Sequence, residues 1–113
     1  MLFPPDQVQE LKSIYPNLQS CDEGGYTYFS LPKACLPENC DPSQVDLLLC
    51  PMSRDGYTSR LYFSEQINSG KPLNWHVQAI RILEHNWYAF SWQIPHNDLR
   101  LAQMVAVHLG GLR

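Results

Sequence analysis

No run of apolar residues in this 113-residue chain approaches the ~18 that a bilayer-spanning helix needs. Clusters of Lys or Arg are also missing. Eight basic residues stand against eleven acidic ones, for a formal charge of −3. A basic stripe is the electrostatic footprint of a nucleic-acid domain, and a polybasic patch that of an anionic membrane surface. Neither partner class is expected. Glycine-rich phosphate cradles are absent too: "DEGG" and "LGGL" lack the dinucleotide and P-loop spacings. The opening "MLFPPDQVQELKS" has no charged segment followed by an apolar core, so it does not read as a secretory signal and a cytoplasmic location is expected.

Cysteine is scarce and one-sided. Cys21, Cys35, Cys40 and Cys50 lie in the first half, and none follows. A reducing compartment keeps such thiols free. Cys35 and Cys40 form C-x4-C, but no second close pair completes a zinc ligand set, so neither a metal nor a cofactor is expected. Cys50 sits inside the apolar "VDLLLCPM" and reads as core. Cys35 and Cys40 read as more accessible, in a proline-rich loop over 32–44.

Enough apolar material is present, 44% of residues with 12% aromatic, to close one core over a single domain spanning 1–113. In "PPDQVQELKSIYPNL", Val8, Leu11, Ile14 and Tyr15 recur at helical spacing. Pro5 suits the first turn, Asp6 complements the helix dipole, and Pro16 ends the helix. Strands are expected in "GGYTYFSLP", in the nearly continuous "VDLLLCPM", in "RLYFSEQI" with Leu61 and Phe63 on one face, and in "NWHVQAIRIL" and "NWYAFSWQI". Asp55-Gly56 signals a hairpin. After Pro95 a last helix is expected, capped by Asn97 or Asp98 and ended by Gly110-Gly111. The fold class is α+β: an antiparallel β-meander of about four or five strands between an N-terminal and a C-terminal helix.

"QVQELKSIYPNL" resembles the first helix of the ubiquitin-conjugating-enzyme fold and its non-catalytic RWD relatives. "FSWQIP" followed by "NDLRLAQMVAVHL" is similar to the prokaryotic ubiquitin-conjugating-enzyme-like family E. The resemblance implies a bacterial protein that receives the C-terminal acyl group of a ubiquitin-like protein from an adenylating activating enzyme and passes it on, with no metal or organic cofactor. One departure matters. The family's acceptor cysteine lies after the meander, behind a His-Pro-Asn turn. Here no cysteine follows Cys50, and "IPHN" holds those residues in another order. Either an oxygen carries the acyl group as an oxyester, or the domain is a non-catalytic adaptor that binds a partner protein.

Ser91, between Phe90 and Trp92, is the candidate acyl acceptor. A serine needs a general base within reach, and His96 and His85 are the nearby imidazoles. N–H groups around Asn97 and Asp98 could serve an oxyanion. The competing reading is a small polar residue on a strand's solvent side. Strand parity puts Ser91 with Trp87, opposite Tyr88, Phe90 and Trp92, so Trp87 is expected to be exposed for a partner. Trp92 is expected in the core. His76 and His85 flank the fourth expected strand. His108 is expected to face solvent or to cap the last helix.

Overall fold

The computed structural model describes residues 3–52, 59–70, 73–75, 77–90 and 99–112. Helix α1 (Pro5–Ile14) is followed by strands β1 (Gln19–Glu23), β2 (Tyr26–Cys35), β3 (Gln44–Cys50), β4 (Arg60–Phe63), β5 (Val77–Ile82) and β6 (His85–Ala89), and then by helix α2 (Leu101–Gly110). The class is α+β, with six strands among the described residues rather than four or five. They form one antiparallel sheet in the order β1-β2-β3-β4-β6-β5. No helix among the described residues is long and apolar enough to cross a membrane.

The extra strand is β1. Its sequence, "QSCDE", is polar and exposed along almost its whole length. An edge strand without an inward apolar face has no period-2 signal to read. Gly24 and Gly25, both at positive φ, turn it into β2. β2 also runs further than the sequence suggests. It passes through Pro32 and Lys33 in a bulge between Leu31 and Ala34, with Lys33 at φ 52. A proline cannot donate to a ladder, and a bulge is where a strand tolerates one. The bulged Lys33 N–H donates instead to Asp46 Oδ1 at 2.9 Å.

From Leu47 to Cys50, β3 is buried on both faces, as its continuous apolar run demands. Leu47 and Leu49 join Leu11, Phe29, Leu31, Leu61, Phe63, Phe90, Leu101 and Val105 on the face covered by the helices. Leu48 and Cys50 join Tyr28, Tyr62, Ile82, Trp87 and Ala89 on the other. The second face is closed by curl. Five inter-strand spacings of ~4.8 Å would hold the sheet's edges about 24 Å apart if it were flat. Yet Glu23, at the end of edge strand β1, accepts the N–H of Leu83, beside edge strand β5, at 2.8 Å.

The two helices lock to each other through polar groups. Arg100, the N-cap of α2, reaches Asp6 (2.9 Å) and Glu10 (3.0 Å) on α1. Its own N–H is accepted by Gln103 Oε1, and Gln7 of α1 accepts the N–H of Leu101. Two orphan donors at the α2 start are therefore met by glutamines. The expected caps, Asn97 and Asp98, lie outside the described residues, and the helix begins later, at Leu101. At its far end Gly111 is right-handed (φ −65), so the C-cap does not need a glycine's left-handed freedom.

Candidate functional site

The structure joins a serine and a histidine far apart in sequence. Ser59 immediately precedes β4, and His108 lies on the inward face of α2, on the stripe of Leu101 and Val105. Ser59 Oγ and His108 Nε2 are 2.9 Å apart, with both residues buried. His108 does not face solvent as expected. It lines a cavity of about 10 Å³ with Arg60, Phe63 and Phe90. Burial first, and then the Arg60 guanidinium, push its pKa down from 6.5 to about 4, so it is a neutral imidazole at pH 7. The guanidinium lies 5.9 Å from the centre of the Tyr62 ring.

A hydroxyl at hydrogen-bond distance from an imidazole is the geometry of an activated nucleophile. Two magnitudes decide against that role. A base of pKa about 4 sits far below neutral operating pH. Moreover, a space of about 10 Å³ holds one water and no acyl group. Ser59–His108 is therefore a hydrogen bond that ties α2 to the entry of β4. The sequence carried a usable signal: His108 falls three and seven residues beyond Val105 and Leu101, on their helical face.

Of the expected site residues, Ser91 and His96 lie outside the described ones, as do Trp92 and His76. His85 is described. It is exposed at the start of β6. Four residues at ~3.3 Å each, about 13 Å, separate it from Ala89 at the end that leads towards Ser91. His85 faces a different concavity, with Asp46 and Ser64. The expectation that Trp87 is exposed is overturned. It is 6% exposed, packs with Tyr28, Leu48 and Tyr62, and donates Nε1–H to Ile82 O at 3.0 Å. Among the described residues Trp87 and Ala89 share one face and Phe90 lies on the other, as parity has it, but curl covers the face that parity assigned to solvent.

All four cysteines are free thiols. Cys50 is fully buried, and burial pushes the Cys40 thiol up, which corrects the reading of Cys40 as accessible. Cys35 is exposed. Among the described residues, no three His, Cys, Asp or Glu side chains are grouped to hold a metal ion. No protein-family model matches the chain, and no curated protein or solved structure is significantly similar to it.

Proposed function

We propose that the chain is a ubiquitin-conjugating-enzyme-like protein-binding module in a bacterial pathway that attaches a ubiquitin-like protein, acting in the cytoplasm on the ubiquitin-like protein and its adenylating activating enzyme. The order of helix, antiparallel sheet and helix supports this reading, as does the resemblance of "QVQELKSIYPNL" and "FSWQIP"; the warrant is analogy of fold. Binding is favoured over catalysis by one observation. No cysteine follows Cys50, so the thioester acceptor of the conjugating enzymes is missing from the position where they carry it.

Carriage of the ubiquitin-like protein as an oxyester on Ser91 is the second reading. It rests on the likeness of "FSWQIP" to the aromatic-Ser segment of that family, which makes Ser91 the hydroxyl in place of the absent cysteine. His96 is then the better base, since β6 carries His85 to the strand's other end. The test uses the ubiquitin-like protein and activating enzyme encoded nearest the gene. Binding of either, with no hydroxylamine-sensitive adduct, supports the module. An adduct with wild type that is lost in Ser91→Ala supports carriage, and one that survives the substitution excludes Ser91. Failure to bind either partner overturns both readings.

A further inference from the structure

The inner face of the sheet changes character along its strands. One end is apolar, with Tyr28, Leu48 and Tyr62. At the other end Asp46 and Ser64 stand opposite each other, joined by Ser64 N–H to Asp46 O (3.0 Å) and Asp46 N–H to Ser64 Oγ (3.2 Å). The pairing of Phe63 with Tyr88 sets Ser64 beside Trp87. Together with Ser30, His85 and Asn86 these residues line a concavity of about 250 Å³. That is room for one long side chain and less than an ordinary small-molecule site.

Its one carboxylate, Asp46, faces the space with two hydroxyls, an amide and an imidazole that can each offer an acceptor, and no Lys or Arg is among the described lining residues. Asp46 Oδ1 is taken by the Lys33 N–H, but no described residue donates to Oδ2. The side chains of Ser30, His85 and Asn86 make no hydrogen bond to a described residue. Acceptors on β2, β3, β6 and the residue after β4 thus line one space, with Trp87 beside them. A guanidinium matches this set. It is planar, always charged, has five donors and no acceptor, and packs on aromatic rings. An ammonium offers three donors from one point and lacks the planar fork that serves several acceptors at once.

We infer that this concavity binds the guanidinium of an arginine side chain presented by a partner polypeptide. The inference follows from the pocket alone and stands whatever pathway the chain serves.

Titration of the 15N-labelled protein with Nα-acetyl-arginine amide tests it, followed by the backbone amides of Asp46, Ser64, His85 and Asn86. Saturable shifts are expected there, with at least tenfold weaker binding of the neutral isostere Nα-acetyl-citrulline amide, because charge-assisted hydrogen bonds are the stronger ones. Asp46→Asn removes the charge yet still offers Lys33 an acceptor oxygen, and is expected to weaken binding about tenfold or more. Asn86→Asp adds a second carboxylate and is expected to tighten it, which keeps the test valid if Asp46→Asn folds poorly. Shifts that do not saturate, or equal binding of arginine and citrulline, overturn the site. Tighter binding of Nα-acetyl-lysine amide overturns the guanidinium assignment. Tighter binding of free arginine overturns the assignment to a polypeptide side chain.

Discussion

His108 contributes to stability through a proton it does not take up. Its folded pKa, about 4, lies below the ordinary 6.5, so between those values the unfolded chain binds more protons. Stability is then complete above about pH 6.5, falls as pH drops through the window, and has lost this contribution below about pH 4. A shift of this size is worth at most about 3 kcal/mol, of which about 2 kcal/mol is gone by pH 5. Urea unfolding at pH 8 and pH 5 measures the difference, and His108→Gln is expected to flatten it. Asp6, whose carboxyl Arg100 holds below its usual range, titrates beneath this window and does not blur it. The partner hydroxyl is tested separately. Ser59→Ala leaves a buried imidazole nitrogen without its 2.9 Å partner and is expected to cost about 1–3 kcal/mol. Asn39 is a second residue with more than one task. Its Nδ2 donates to Ser69 O and to Leu112 O, both at 2.7 Å, and so ties three segments together. Asn39→Ala is expected to cost about 1–2 kcal/mol in the same assay.

At the scale of elements, the β5–β6 hairpin holds strain that its sequence could shed. Ile82 pairs with His85, leaving Leu83 and Glu84 as a two-residue turn at φ 51 and 67. Asn and Gly are the residues suited to such a turn, and left-handed backbone costs other residues roughly 1 kcal/mol each. Leu83 has compensation, since its N–H meets Glu23 and its side chain packs on the inner cluster. Glu84 is exposed, and its side chain makes no hydrogen bond or ion pair with a described residue. Glu84→Gly is therefore expected to stabilise by about 0.5–1 kcal/mol, read as a rise in melting temperature. The same hairpin marks the limit of what patterns reveal. Periodicity located α1, β3 and β4, because apolar residues there repeat at the period of the element and point into a core. It could not reveal β1, whose residues are polar on both faces, or the bulged end of β2, where Pro32 reads as loop. The exposure of Trp87 and His108 was misjudged for a related reason. Sequence spacing tells which residues share a face, while tertiary curl and helix docking decide which faces are covered.

At the scale of the molecule, β3 and β4 are a wall shared by two cores. Alternate residues, Leu47 and Leu49 against Leu48 and Cys50, feed opposite clusters, so neither core can empty without disturbing the strand that builds the other. Each cluster holds a tryptophan. Trp75 packs edge-on against Phe63 and Phe90 at 5.9 and 5.6 Å on the helix face, and Trp87 lies on the inner face. Variants that keep one of these indoles, with the other and Trp92 changed to Phe, report the two cores separately. Their urea transitions are expected to coincide once each variant's own stability is allowed for, with equal m-values, as a single cooperative unit requires. Truncation of the inner indole, Trp87→Ala, is expected to cost about 3–5 kcal/mol and to shift the Trp75 signal by the same amount, because the loss propagates through the common strands. If the Trp75 transition stays in place while the inner face melts, the curl is a separate unit. The concavity of Asp46, Ser64 and His85, which is built on that curl, would then open without unfolding the helix-covered core.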